Sequence, residues 1–184
     1  MNNTYYIIRH GEAESNRDQF CSSWPEKVTN PITEKGEKKI KKQAKKLKKE
    51  NIDIIFSSPL LRTKQTAEII AEELNLKISL DERIREHDCG IFNGRTVEEW
   101  NNFFKTKKEK FTKRPPNGEN RRDIKERLES FLKETEEKYN NKNILIVSHE
   151  GVLLIFQGII KNLSEEEMAN NEKLKLKPGE CRKI

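Results

Sequence analysis

The chain has 184 residues, with 37% charged and 33% hydrophobic residues, a length that suits one domain burying about 70% of its unfolded surface. Its apolar residues gather into periodic segments, which excludes a disordered chain, and no apolar run approaches the roughly 18 residues of a membrane-spanning helix. The net charge is +6 and there are three cysteines, odd in number and without metal-ligand spacing, which excludes a disulfide framework and a zinc site and leaves no metal expected.

Tyr5 to Arg9 form the first predicted strand, a continuous apolar run of the kind that is buried on both faces of a sheet. Nothing before it resembles a basic region followed by an apolar signal core, so a cytoplasmic protein is expected. Thr33 is a plausible N-cap for a lysine-rich helix. Between Glu34 and Glu50 stand nine lysines and three glutamates, so the whole positive excess lies in this segment. Ile40, Ala44 and Leu47 recur there at helical spacing and leave the lysines on solvated faces. Arginine clusters, interleaved aromatics and nucleic-acid motifs are missing, so no nucleic-acid partner is expected, and no membrane partner either.

A second strand is predicted over Ile52 to Phe56, then a helix from Leu60 to Leu74 with Thr63, Ala67, Ile70 and Leu74 on one face, then a short strand near Lys77 to Leu80. From about residue 88 to 118 the pattern breaks into Gly, Asn, Pro, aromatics and lysines, which predicts a lid-like insertion over a crevice. Ile124, Leu128, Phe131, Leu132 and Thr135 mark a longer helix ending near Tyr139. Ile144 to Ser148 read as a strand, Gly151 to Ile160 as a last helix, and Cys181 to Ile184 as a weak terminal strand. Alternating strands and helices predict a single domain over residues 1–184. Its class is α/β, a three-layer α/β/α sandwich with a mainly parallel central sheet.

Two of the three histidines follow strand-like runs directly: Ile7-Ile8 leads into Arg9-His10-Gly11-Glu12, and Ile146-Val147-Ser148 leads into His149. Open α/β sheets place ligands beyond the carboxyl ends of their strands, so both imidazoles are expected at one crevice. Arg9 beside His10 favours the neutral, nucleophilic imidazole and also attracts anions. Arg62 begins the helix after the second strand, where free N–H groups and the helix dipole favour a phosphate. Two guanidiniums and two imidazoles suit a multiply charged tetrahedral anion better than one carboxylate. Glu86 is placed to protonate a leaving oxygen, since a carboxyl held against a phosphate dianion has its ionised form disfavoured.

Arg9-His10-Gly11-Glu12 with Asn16, Pro31-Ile32-Thr33 with Gly36, Ser57-Ser58-Pro59-Leu60-Leu61-Arg62-Thr63 with Gln65-Thr66-Ala67, Arg85-Glu86 with Gly90 and Gly94, Gly118-Glu119, and Val147-Ser148-His149 occur in that order. The set resembles the histidine phosphatase superfamily, also called phosphoglycerate mutase-like, over about residues 4 to 160. The resemblance implies that His10 accepts the phosphoryl group, that Arg9, Arg62 and His149 hold its oxygens, and that Glu86 protonates the leaving alcohol and then activates water. It also implies substrate contacts for Asn16 and Ser22, and no cofactor. Glu150, where many relatives carry a small or amide residue, puts a carboxylate at the pocket rim, either pointing away or disfavouring highly anionic substrates.

The mutases that this chain resembles at its catalytic positions are longer between the acid glutamate and the second histidine, and carry there a lysine and an arginine pair for the substrate carboxylate. Here that interval is 63 positions, Arg114 stands singly before Pro115, and no lysine lies near Val97. A shorter lid favours water as acceptor. The expected activity is therefore hydrolysis of a small phosphorylated metabolite through a phosphohistidine, by a monomer or homodimer. The alternatives are a cofactor-dependent phosphoglycerate mutase and a non-catalytic phospho-ligand binding module. Arg121 and Arg122 are read as exposed residues on the first turn of a helix, or as contacts for a second anionic group.

Overall fold

The computed structural model describes residues 1–184. Five strands form one sheet: β1 (Thr4–Arg9), β2 (Ile54–Ser57), β3 (Ile78–Leu80), β4 (Asn143–Ser148) and β5 (Cys181–Lys183), in the order β3-β2-β4-β1-β5. The first four run parallel, and β5 pairs antiparallel with β1 at one edge. Successive residues of β1 serve opposite faces: Tyr5 and Ile7 enter one core, Tyr6 and Ile8 the other, all four buried. That two-sided burial is why the run carries no polar alternation.

One face is covered by α2 (Glu34–Leu47) and α3 (Leu61–Leu74), whose Ile40, Ala44, Leu47, Ala67 and Ile70 pack on Ile55, Leu145 and Val147. The other is covered by α6 (Arg121–Lys138) and α7 (Glu150–Ile160), with Leu128, Phe131, Leu153 and Phe156 against Ile144 and Ile146. The result is the expected three layers. Thr33 caps α2 by accepting from the Gly36 N–H at 3.1 Å, and Asn120 caps α6 through the N–H groups of Arg122 and Asp123. No helix is long and apolar enough to cross a membrane.

The structure corrects several expected boundaries. The second strand begins at Ile54 rather than Ile52, because pairing with β4 starts at Ile54 opposite Ile144. The helix after His149 is not the last: α8 (Glu165–Asn170) follows, started by a Ser164–Glu167 capping box. A one-turn helix α1 (Glu14–Asp18) also escaped the sequence reading. Both are too short to show helical periodicity.

Residues 88–118, expected as a lid-like insertion, contain two short helices, α4 (Val97–Asn102) and α5 (Glu109–Thr112). They shelter a small separate core of Cys21, Cys89, Phe92, Trp100 and Phe104. The ends of this excursion are stapled together: the Ile91 N–H donates to Pro116 O at 3.1 Å and the Glu119 N–H to Asp88 O at 2.9 Å. Gly90, at φ +56°, lets the chains meet, since a Cβ there would lie 2.0 Å from Pro116 O.

Candidate active site

The sheet order sets the site. β4 lies between β1 and β2, with Arg9 opposite Ser148 and Ser57 opposite Val147, so the carboxyl ends of three neighbouring strands present His10, His149 and Ser58 side by side. The two imidazole centroids are 5.3 Å apart. His10 and His149 are buried, as is Arg62, which reaches back from the first turn of α3 and is 2% exposed.

Arg62 is the hub. Its Nε donates to His10 Nε2 at 3.3 Å, Nη1 to Ser22 Oγ at 3.1 Å and Glu26 Oε1 at 3.3 Å, and Nη2 to Ser22 O at 2.9 Å and His149 Nδ1 at 3.1 Å. His10 Nδ1 lies 2.7 Å from Gly11 O. A carbonyl only accepts, so the hydrogen-bond network assigns the proton to Nδ1 and leaves the lone pair on Nε2. By the same logic His149 accepts on Nδ1 and donates from Nε2 to Ser58 Oγ, 2.8 Å away. Burial, then the Arg62 and Arg9 charges, push His10 well below the ordinary histidine range. His149 is also pushed well below that range, by burial and the neighbouring cations against the opposing pull of Glu86. Both rings are therefore neutral near pH 7.

Glu86 faces the same cluster, with Oε2 3.4 Å from His149 Nδ1 and 3.6 Å from Arg62 Nη2. Burial alone would raise its carboxyl, but the hydrogen bonds from His87 and the Arg62 charge oppose that and hold it well below the usual carboxylate range. The ligand-free site thus keeps Glu86 ionised. Its segment is braced from two sides: the Ser148 hydroxyl donates to Ile84 O at 2.7 Å, and Glu119 accepts from Arg85 Nη2 at 2.5 Å and from the Asp88 N–H at 3.0 Å.

The remaining expected contacts divide. Ser22 joins the cluster through Arg62. Glu150 neither points away nor stands free: it is ion-paired with Arg9, whose Nη1 also donates to Leu176 O at 2.9 Å and whose buried Nε has no partner. Asn16 does not meet the others. Its Oδ1 accepts from the Ala13 N–H at 3.0 Å and closes the start of α1.

Glu12 braces the loop by accepting from Thr33 Oγ1 and Lys35. His87 bonds Glu86 and lies 4.8 Å from the Trp100 ring. Three further contributors went unassigned in the sequence reading. Ser58 orients His149, Thr66 Oγ1 receives the Gly11 N–H at 3.0 Å, and Glu26 holds both Arg62 and the Leu61 N–H. Ser58 and Thr66 lie inside the ordered motifs, whereas Glu26 sits in a loop with no pattern to mark it.

Beside this cluster opens a cavity of about 660 Å³, lined by Arg9, Ser22, Glu86 and Glu150 and also by Trp100 and Phe104 of residues 88–118. Positive groups at strand ends, a neutral imidazole with an available lone pair, and a carboxylate at the rim can together bind a tetrahedral anion and exchange protons with it.

The family profile described as histidine phosphatase superfamily (branch 1) matches residues 5–179. Phosphoserine phosphatase 1 of Hydrogenobacter thermophilus is 32% identical over 148 residues, covering 78% of this chain and 69% of that protein. A probable phosphoglycerate mutase of Escherichia fergusonii is 34% identical over 149 residues, covering 78% and 68%. The structure of a mycobacterial glucosyl-3-phosphoglycerate phosphatase superposes with a TM-score of 0.84 at 20% identity, over 98% of this chain and 88% of that one, and so shares its fold.

Proposed function

This chain belongs to the histidine phosphatase superfamily and is one of its metal-independent phosphatases, and from that premise we propose that the phosphoryl group passes first to Nε2 of His10 and then to water. The observation that carries the reading is the state of His10: neutral, protonated on Nδ1, its Nε2 lone pair held against Arg62 beside His149. A nucleophile in that state needs no base to remove a proton before attack.

In this proposal Arg9, Arg62 and His149 spread the charge of the transferring group over its oxygens, which is most of what phosphoryl transfer asks of a protein. Arg9 exchanges Glu150 for the substrate phosphoryl, and its unpartnered Nε supplies a further donor. Arrival of a phosphate dianion disfavours the nearby negative charge of Glu86 and raises its affinity for a proton. The carboxyl then gives that proton to the leaving oxygen as the bond between phosphorus and that oxygen breaks. In the second step the carboxylate takes a proton from water as its oxygen attacks the phosphohistidine, and His10 leaves with its lone pair restored. Ser22 and Ser58 position Arg62 and His149. Asn16 supports the loop that follows His10, and residues 88–118 act as the lid over the cavity.

The test is phosphate release from p-nitrophenyl phosphate and a panel of sugar phosphates, phosphoglycerates and nucleotides by wild type and His10→Ala, with acid-labile phosphoenzyme trapped by rapid quench and a mutase assay alongside. Release should fall about a thousandfold or more in the variant, and the label should appear on His10. Near-normal turnover by folded His10→Ala would overturn the mechanism, and isomerisation without release would make the chain a mutase. Chelators should leave the rate unchanged.

A further inference from the structure

Two of the three thiols stand together beside the active site and take no part in the phosphoryl chemistry. Cys21 and Cys89 both line the cavity and belong to the small core that also contains Phe92, Trp100 and Phe104. Their chain segments are clamped to each other: the Cys21 N–H donates to Arg95 O at 2.7 Å, the Gly94 N–H to Cys21 O at 2.8 Å, and the Cys89 N–H to Ser23 Oγ at 3.1 Å. The third thiol, Cys181, lies apart on β5.

The clamped segments carry two sides of the phosphoryl site. Ser22, next to Cys21, holds Arg62 through its hydroxyl and its carbonyl. On the other segment Cys89 Sγ lies 3.2 Å from His87 Nε2, and His87 Nδ1 lies 3.3 Å from Glu86 Oε1. A change at either sulfur therefore reaches Arg62 or the acid within a few residues. The two thiols are also unequal. A hydrogen bond from the Cys89 thiol lowers Cys21 below the ordinary thiol range, with burial opposing. The same contact, then burial, pushes Cys89 well above that range. Cys21 is thus the member that forms a thiolate, the species that oxidants convert, and Cys89 is its protonated neighbour.

We infer that Cys21 and Cys89 form an oxidation site, at which a hydroperoxide joins the two thiols in a disulfide and thereby slows catalysis. The Cys21 sulfur attacks one oxygen of hydrogen peroxide and the O–O bond breaks; Cys21 becomes a sulfenic acid, and the departing hydroxide takes up the thiol proton as water. The Cys89 sulfur then attacks the Cys21 sulfur, the S–O bond breaks, and the Cys89 proton leaves with that hydroxide as a second water. Two thiols are oxidised to one disulfide while one peroxide is reduced to two waters. The new bond removes the thiol hydrogen that faces His87 Nε2 and ties the support of Arg62 to that of Glu86. The bond itself is independent of the phosphatase reading, whereas its effect on turnover rests on it.

In the test, reduced protein is treated with excess hydrogen peroxide, remaining thiols are alkylated, and the product is mapped by mass spectrometry while p-nitrophenyl phosphate turnover is followed. Wild type should lose the mass of two hydrogens, with the peptides of Cys21 and Cys89 joined. Its kcat should fall about tenfold, as a shift of about half an ångström at the reacting groups predicts, and dithiothreitol should restore both. Cys21→Ser and Cys89→Ser should each keep their own starting rate in peroxide, with Cys21→Ala used if the serine variant fails to fold, and Cys181→Ser should respond as wild type does. Absence of the link between Cys21 and Cys89, a link through Cys181, or full turnover by the linked form overturns the inference. Should reduced wild type hydrolyse nothing, the phosphatase reading fails by itself. Calorimetric binding of inorganic phosphate to the reduced and the linked protein then decides the matter, weaker binding by the linked form supporting the inference and equal binding overturning it.

Discussion

Gly36→Ala sets two opposing effects against each other at the packing contact behind His10. Gly36 lies in the first turn of α2, where alanine is worth about 1 kcal/mol more than glycine by helix propensity. Its ideal Cβ, however, would stand 2.3 Å from Glu12 O, 2.7 Å from Glu12 N and 3.1 Å from Glu12 C. Carbon and oxygen need more than 3 Å, so the helix and the loop must part by roughly 1 Å. The loop cannot retreat cheaply, because Glu12 O accepts from the Thr33 N–H at 2.7 Å and the Gly11 N–H donates to Thr66. Overpacking costs about 1–3 kcal/mol, and a contact as short as 2.3 Å against backbone belongs to the upper part of that range, about 2–3 kcal/mol, so the clash wins over propensity and the net loss is about 1–2 kcal/mol.

For a chain of this size that lowers Tm by roughly 2–8 °C. The catalytic effect should be larger in proportion. Gly11 O fixes the His10 ring, and a displacement of about 1 Å at a reacting group can cost about a hundredfold in rate. Thermal melting and kcat on p-nitrophenyl phosphate read the two effects separately. Gly151→Ala is the control for melting alone, because its Cβ meets nothing within 4 Å, and its Tm should rise slightly. A higher Tm with unchanged kcat in Gly36→Ala would refute the claim that α2 braces the nucleophile's loop.

Glu86→Gln should slow hydrolysis of alkyl phosphates by about a hundredfold or more, and that of p-nitrophenyl phosphate far less, since a nitrophenolate leaves without protonation; equal slowing of both would remove Glu86 as the acid. Acid should destabilise the fold earlier than ordinary carboxylates predict. His10 and His149 are neutral in the folded chain and depressed well below 6.5, so as pH falls below about 6.5 the unfolded chain takes up protons that the folded chain refuses. Stability should then decline by up to about 2–3 kcal/mol per pH unit until the folded imidazoles titrate. The depressed Glu86 adds a second loss as pH falls below its unfolded value near 4.5. Urea denaturation at pH 7, 6 and 5 measures this, and a flat profile would mean that the buried imidazoles take up protons as readily as in the unfolded chain, refuting their depression.

Much of the architecture was legible because local periodicity reports which side of an element meets a core. The runs Tyr5–Ile8 and Ile144–Val147 have no polar member because both sheet faces are covered, and the spacing of Ile124, Leu128, Phe131 and Thr135 marks the buried stripe of α6. The ordered motifs likewise marked Arg9, His10, Arg62, Glu86 and His149, which the fold gathers at one place. Short helices such as α1, α4, α5 and α8 left no such trace, since one turn or two cannot display a period of 3.6 residues.

The sequence by itself determined the alternation of strands and helices and which chemical groups stand at strand ends, because these follow from patterns within about a dozen residues. Only the tertiary structure decided that β4 lies between β1 and β2, which sets His10 and His149 5.3 Å apart. It also decided that Glu150 closes on Arg9, that Glu26 supports Arg62, and that Arg121 faces a cavity instead of solvent. Strand order depends on burial summed over both faces of the whole sheet, and an ion pair depends on where distant loops return. Neither quantity is written in the spacing of neighbouring residues.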